Sequence, residues 1–125
     1  MIVGVGVDLV KIARIRAAID RWGDRFLARV FTDRERSYAQ RRREPALHLA
    51  GRFAVKEATL KALGIGLRLG VRWREIEVAN DARGRPGLAL AGRTKALSDA
   101  LGVGSMHVSL SHDAEYAIGH VIFSR

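Results

Sequence analysis

The chain of 125 residues contains no cysteine, only two prolines and 6% aromatic residues. Without cysteine there can be no disulfide bridge and no thiolate metal site, which fits a reducing cytoplasm. No apolar run reaches the length of a membrane span, and the first residues lack the basic start and apolar core of a signal peptide. Few aromatic rings are available to stack on nucleic-acid bases. These absences predict a cytoplasmic protein without a membrane anchor.

What the chain has in excess is positive charge. Its 22 Lys and Arg residues outnumber 13 Asp and Glu residues, which gives a formal net charge of +9. Such a field favours a polyanionic partner: a nucleic acid, an acidic protein, an anionic membrane surface or a phosphate-rich small molecule. A basic surface that only maintains solubility would have the same composition, so charge alone does not choose among these partners.

The hydrophobic pattern predicts a single α+β domain over residues 1–125. Strands are expected at 2–8, 73–79, 88–90, 106–111 and 116–123, with the last two forming an antiparallel pair. Helices are expected from Ile12 to Gly23, from a capping box at Thr32-Asp33-Arg34-Glu35, from Pro45 to Gly64, and from Thr94 to Leu101. In the first helix, the residues at helical spacing should face the core, namely Ile12, Ile15, Ile19 and Trp22.

The helix from Pro45 to Gly64 carries the most informative segment. Alanine recurs there at every fourth position from Ala50 to Ala62, which predicts a face for close approach by another backbone. Glu57 lies beside this stripe, one turn before Lys61. Its carboxylate is either a surface ion-pair partner of Lys61, worth only about 0.2–0.5 kcal/mol, or a metal ligand.

The first strand places Gly4, Gly6 and Asp8 on one face and valines on the other. The glycines either leave room for a ligand at the strand end or pack under a helix. If this strand lies beside the long helix, Asp8 and Glu57 form a pair that can hold Mg²⁺, which prefers one or two carboxylates together with water and substrate phosphates.

Two further groups of polar residues are candidates for ligand binding. Arg52, Lys56 and Lys61 lie on or next to the Glu57 helix and could neutralise phosphate, or they form a solvated face. In the strand at 106–111, a polar face is set against an apolar one and consists of His107, Ser109 and Ser111. That face could hold a ligand or simply meet solvent.

Taken together, these segments resemble the holo-[acyl carrier protein] synthases, small bacterial 4′-phosphopantetheinyl transferases. The resemblance covers nearly the whole chain and lies in five ordered motifs: residues 2–10, Phe31-Thr32-x-x-Glu35, residues 49–64, Gly84-x-Pro86 and residues 107–112. It implies transfer of 4′-phosphopantetheine from coenzyme A to a serine of apo-acyl carrier protein, in support of fatty acid biosynthesis. It also implies Mg²⁺ dependence and a homotrimer with active sites between subunits.

The resemblance assigns roles by position. Asp8 and Glu57 correspond to metal ligands and, with Lys61, to the catalytic group. The coenzyme A site is expected to include Arg52, Lys56, Lys61, Gly64, Pro86, His107, Ser109 and Ser111. Carrier-protein docking is expected at Arg14, Arg21 and Arg25.

Two other classes of protein remain as alternatives. A basic domain that binds RNA or DNA phosphates would explain the charge. It would not explain Asp8, Glu57 or the polar face of His107, Ser109 and Ser111. A catalytically inactive assembly domain would retain the two carboxylates only as surface charges. The enzyme reading predicts no nucleic-acid partner and no membrane partner.

Overall fold

The computed structural model describes residues 1–125 and contains five strands and five helices. The strands are β1 (Ile2–Lys11), β2 (Ile76–Asn80), β3 (Pro86–Leu90), β4 (Ser105–His112) and β5 (Tyr116–Ser124). The helices are α1 (Ile12–Trp22), α2 (Asp24–Val30), α3 (Asp33–Gln40), α4 (Pro45–Leu63) and α5 (Gly92–Ala100), with a short 3-10 helix at Trp73–Glu75. The α+β class predicted from the sequence is confirmed.

All strand pairs are antiparallel, and they form two sheets. One sheet has the order β1-β5-β4, and the other pairs β2 with β3. The predicted pairing of the last two strands is confirmed, with His107 opposite Ile122 and Ser109 opposite His120. Helix α4, 19 residues long, packs across β1 and β5, so the three-stranded sheet has one covered and one open face.

Close backbone contact between β1 and α4 explains the glycines of the first strand. A Cβ atom on Gly6 would lie 1.8 Å from the Ala58 carbonyl oxygen, and one on Gly4 would lie 2.2 Å from that of Ala62. The alanine stripe of α4 is therefore the face for close approach that the sequence predicts. Of the two readings of Gly4 and Gly6, packing under a helix is the correct one.

The face of the three-stranded sheet away from α4 is apolar at its centre. Its large side chains are at least one-third exposed: Val5, Val7, Leu9 and Ile118. Leu9 alone exposes 60% of its surface. The valine side of β1 is thus turned outward because only the glycine side fits beneath α4.

The structure differs from the sequence-based prediction in three places. Trp22 is 49% exposed rather than in the core, and the guanidinium groups of Arg21 and Arg25 lie 5.0 and 5.8 Å from its ring centroid. Helix α2 was not predicted; it starts directly after Gly23, whose positive φ of 55° ends α1. The segment expected to be extended from Trp73 begins as a 3-10 helix.

Candidate active site

Asp8, Glu57 and Lys61 meet where α4 crosses β1. Asp8 is on the glycine face of β1, so the packing of Gly4 and Gly6 beneath α4 brings its carboxylate next to Glu57. Lys61 Nζ donates to Asp8 Oδ1 and to the Val7 carbonyl oxygen, each at 3.0 Å. The ion pair of Lys61 is therefore with Asp8, from the other element.

The neighbouring Asp8 carboxyl affects the ionisation of Glu57. Burial, together with a hydrogen bond and charge repulsion from Asp8, raises the pKa of Glu57 to about 6. The positive charges of Arg14 and Lys61 act in the opposite direction. A carboxyl whose pKa is shifted towards neutrality is suited to proton transfer. A bound cation would stabilise the ionised form of both carboxyl groups.

The donor set fits Mg²⁺. Hard cations take oxygen ligands, and Mg²⁺ keeps several waters and is often held by one or two carboxylates plus substrate phosphates. No group of three or more His, Cys, Asp or Glu residues forms a metal site of its own in this chain. Asp8 and Glu57 are thus a partial ligand set, of the kind that a phosphate-bearing substrate completes.

Lys56 is the one predicted coenzyme A residue that the structure removes from consideration. Its side chain is 0% exposed, and Nζ lies 2.8 Å from Glu35 Oε1. It also donates to the carbonyl oxygens of Trp73 and Ile76. The prediction that Lys56 binds the cofactor is wrong, because all three of its N–H bonds point into the protein core.

Arg52 lies on another side of α4, at a small polar cavity of about 180 Å³. The residue is 3% exposed; its guanidinium stacks on Tyr38 at 4.0 Å and donates to Asn80 Oδ1 at 2.7 Å. Its Nε has no hydrogen-bond partner. A buried guanidinium that lines a cavity and keeps one donor unpaired is a candidate for binding an anionic oxygen.

Gly64 and Pro86 lie near these two groups. Gly64 ends α4 in the left-handed conformation, with φ of 73°, three residues after Lys61. Pro86 starts β3 directly opposite Asn80, the residue that holds Arg52. Gly64 thus lies about one helical turn beyond Lys61, whereas Pro86 pairs with Asn80, which lines the Arg52 cavity.

The polar face of β4 does not join the carboxylate pair within one chain. His107, Ser109 and Ser111 are exposed on the open face of the sheet, and α4 with Glu57 covers the other face. The predicted division of β4 into a polar and an apolar face is confirmed. The sheet itself separates these residues from Asp8, so a single chain cannot bring the two groups to one ligand.

The three predicted docking arginines are exposed on the first two helices. Arg14 and Arg21 lie on α1, and Arg25 lies on α2. Arg14 is near enough for its charge to lower the pKa of Glu57. The positive surface thus extends from the carboxylate pair along both helices.

Sequence reasoning missed two residues of the Arg52 cavity, Tyr38 and Asn80. Asn80 ends β2, and its side-chain oxygen accepts a hydrogen bond from Arg52, 28 positions earlier in the chain. Tyr38 belongs to a row of rings, with centroids 5.9 Å from His48 and then 5.6 Å from His48 to His112. No local pattern signals these contacts, because the three elements meet only in the folded chain.

Comparison with known proteins adds independent information. A sequence model of the 4′-phosphopantetheinyl transferase superfamily matches residues 4–120. The chain is 47% identical over 121 residues to the holo-[acyl-carrier-protein] synthase of Klebsiella pneumoniae, covering 97% of this chain and 96% of the relative. It is 44% identical over 122 residues to that of Solibacter usitatus, covering 98% of each.

Solved structures of such synthases share the fold. The holo-[acyl-carrier-protein] synthase of Neisseria meningitidis superimposes with a TM-score of 0.91 at 30% identity, covering 100% of both chains. The one of Helicobacter pylori, solved in complex with coenzyme A, gives 0.85 at 32% identity, covering 96% of this chain and 99% of the other.

Proposed function

The chain belongs to the 4′-phosphopantetheinyl transferase superfamily and is an enzyme of that kind, and from this premise we propose that it converts apo- to holo-acyl carrier protein. It transfers 4′-phosphopantetheine from coenzyme A to a carrier serine and releases adenosine 3′,5′-bisphosphate. The observation that carries the proposal is the Asp8–Glu57 pair with Lys61 at its edge. The proposal extends to a cytoplasmic enzyme of fatty acid biosynthesis, as the family resemblance implies.

In the proposed chemistry, a bond forms between the serine oxygen and the phosphorus that carries pantetheine, while the pyrophosphate bridge breaks. Glu57 accepts the serine proton, directly or through a water; without a metal ion its pKa is raised to about 6, which suits a base near neutral pH. Lys61, whose exposed ammonium group lies at the same edge, neutralises the leaving phosphate. Mg²⁺ held by Asp8 and Glu57 would supply charge neutralisation of the pyrophosphate oxygens.

Two features support contacts to the remainder of coenzyme A. The Arg52 cavity offers a guanidinium held in place by Tyr38 and Asn80, and Pro86 pairs with Asn80 across β2 and β3. The polar face of β4 offers His107, Ser109 and Ser111, but on the side of the sheet away from Glu57. We therefore propose that coenzyme A is bound between subunits, with the carboxylate pair of one copy and the polar strand of another.

The surface charge supports an acidic carrier protein as the second substrate. Arg14, Arg21 and Arg25 are exposed, and Arg14 lies close enough to Glu57 to lower its pKa, so a carrier attracted to them would present its serine near Glu57. Electrostatic attraction of this kind speeds encounter and weakens as salt screens it. An acidic carrier protein would thus account for the net charge of +9.

The direct experiment incubates the protein with coenzyme A, Mg²⁺ and apo-acyl carrier protein and follows the carrier by mass spectrometry. The expected result is a phosphopantetheine adduct on the carrier serine and stoichiometric release of adenosine 3′,5′-bisphosphate. No adduct, together with tight and salt-sensitive RNA binding, would instead support the nucleic-acid module. No adduct and no RNA binding would support an inactive assembly domain.

The Arg52 cavity gives a prediction about the nucleotide end. Arg52→Gln is expected to raise KM for coenzyme A about 10-fold or more, since a hydrogen bond to a charged group contributes about 1.5–3 kcal/mol. The matched comparison is 3′-dephospho-coenzyme A, which lacks the phosphate that we assign to this cavity. Steady-state kinetics should show that wild type prefers coenzyme A and that the variant loses this preference; equal loss with both substrates would count against the assignment.

Trimerisation through the open sheet face is part of the proposal. The face is apolar at Val5, Val7, Leu9 and Ile118, and such patches on a small protein mark interaction sites. No helix of the structure is long and apolar enough to span a bilayer. The number three comes from the family resemblance.

Leu9→Glu tests the trimer, because a charge placed at the centre of this face opposes its burial. Sedimentation is expected to give three times 13.8 kDa for wild type and a smaller species for the variant. The variant is also expected to lose transfer activity, since one chain does not complete the site. The matched control is Leu101→Glu on the exposed end of α5, and an assembly unchanged in both variants would refute the interface.

A further inference from the structure

One buried ion pair has no task in the chemistry proposed above. Lys56 and Glu35 are both fully enclosed, with 2.8 Å between Nζ and Oε1. The carboxylate also accepts from the Thr32 backbone N–H at 2.9 Å and the Val78 backbone N–H at 2.8 Å. With the two carbonyl oxygens bound by Lys56, every hydrogen-bonding group of the pair is satisfied.

The partners of the pair come from separate parts of the chain. Glu35 lies in the first turn of α3, where it also completes the capping box with Thr32. Val78 and Ile76 are in β2, and Trp73 is in the 3-10 helix before it. The ammonium group of α4 is therefore fixed from three directions by backbone and side-chain groups.

Stability by itself does not require such a pair. Desolvation of two buried charges offsets much of their attraction, and well-packed apolar replacements are often neutral or stabilising. What an ion pair supplies, and apolar packing does not, is direction, because its hydrogen bonds have one satisfied geometry. The contacts of α4 with the sheet include backbone contacts with Gly4 and Gly6 in β1 and with Gly119 in β5, which set how closely the helix approaches.

Lys56 is followed directly by Glu57, about 100° further around α4. Any rotation of the helix that moves the Lys56 side chain also moves the Glu57 carboxylate relative to Asp8. We propose that the buried Glu35–Lys56 pair is a positioning pair, which fixes the rotation of α4 about its axis and thereby holds Glu57 against Asp8. This inference rests on the proposed function for its catalytic consequence, but its structural content is independent of it.

The test replaces both charges with amides, in Glu35→Gln/Lys56→Gln, which keeps hydrogen-bonding groups at both positions. We expect the midpoint of urea unfolding to stay close to wild type and kcat to fall about 10- to 100-fold, as small displacements of catalytic groups do. KM for coenzyme A should change less than about twofold, because ground-state binding is not involved. The matched control neutralises an exposed pair on α5, in Lys95→Gln/Asp99→Asn, and should leave kcat unchanged.

A double-mutant cycle with Glu57→Gln separates positioning from general damage. If the pair acts through Glu57, its removal should lower the residual kcat of Glu57→Gln by less than about twofold. An equal loss with and without Glu57 would overturn the proposal, as would unchanged kcat in the stable double amide variant. If that variant does not fold, Glu35→Asp is used instead, because it keeps both charges but shortens the acidic side chain by one methylene. Its kcat should fall while its KM for coenzyme A is unchanged.

Crystal structures of the metal-free wild type and the amide variant give a readout without turnover. We expect α4 to rotate and the carboxylates of Asp8 and Glu57 to separate by about 1 Å, a displacement large enough to affect catalysis. An unchanged separation would overturn the proposal even if the enzyme is active. If wild type transfers no phosphopantetheine but the separation still changes, the proposed function has failed and the positioning role stands.

Discussion

Glu57→Gln is expected to lower kcat by about 10²–10⁴-fold, the range that loss of a general acid or base commonly produces. Gln keeps the size and the hydrogen-bonding capacity of Glu57 but cannot accept a proton. It also removes one of the two carboxylates available to Mg²⁺, so a rise in the Mg²⁺ requirement should accompany the loss of turnover. KM for coenzyme A is expected to rise by less than kcat falls, because the Arg52 cavity, which Glu57 does not line, still holds the nucleotide end.

The same variant should not be less stable than wild type near neutral pH. The pKa of Glu57 in the fold is about 6, above its ordinary value of 4.5, so the folded state binds the proton more tightly than the unfolded state does. The stabilisation from this group is present below pH 4.5 and is lost as the pH rises through 6. Gln does not ionise, and therefore the variant escapes this loss.

Two measurements together decide the role of Glu57: single-turnover transfer to the carrier and thermal unfolding between about pH 4 and pH 8. Loss of activity with retained stability is the expected combination. Glu115→Gln, an exposed carboxylate in the turn before β5, is the matched control and should behave as wild type. Near-normal turnover in Glu57→Gln would refute its catalytic role, and a large loss of stability would mean that it is a structural residue.

Gly6→Ala should produce the second large effect, through packing. The added methyl group would lie 1.8 Å from the Ala58 carbonyl oxygen, and that atom belongs to the backbone of a helix and cannot turn away. Overpacking of this kind costs about 1–3 kcal/mol, and a backbone contact is expected at the upper end. Since α4 must move away from β1, Asp8 and Glu57 should also separate, and kcat should fall with the stability.

Gly66→Ala is the matched control, because no atom lies within 4 Å of the position a Cβ would take there and its backbone has no positive φ. The free energy of unfolding from urea titration should drop for Gly6→Ala and stay near wild type for Gly66→Ala. A drop of the same size in both variants would trace the effect to the conformational freedom of glycine rather than to the contact with Ala58.

Local signals predicted most of the secondary structure correctly. The capping box at Thr32 and the turn residues Pro45 and Gly64 act within a few residues, so they mark the ends of α3 and α4 in the sequence itself. Helix α2 was not predicted because its seven residues span only about two turns. That length is too short for a helical spacing of apolar residues to be recognised in the sequence. Trp22 was misplaced because helical spacing identifies a face but does not tell how far along it the core extends.

For the site, the sequence indicated which residues carry chemistry but not which of them share a location. Lys56 and Glu57 are neighbours in one charged motif, yet one is enclosed with Glu35 and the other faces Asp8. That division depends on what surrounds each side of α4. The assigned roles of Asp8, Glu57 and Lys61 stay predictions until the variants are measured.

The sequence by itself determined the α+β class, the helix ends, the alternation of β4 and the family resemblance, because each depends on residue types at short or ordered spacing. Only the tertiary structure decided that the glycine side of β1 is covered and its valine side is open. It also decided that His107 and Glu57 lie on opposite sides of one sheet. These outcomes follow from the contact between β1 and α4, about 50 residues apart in the chain, where steric fit rather than hydrophobicity selects the buried face.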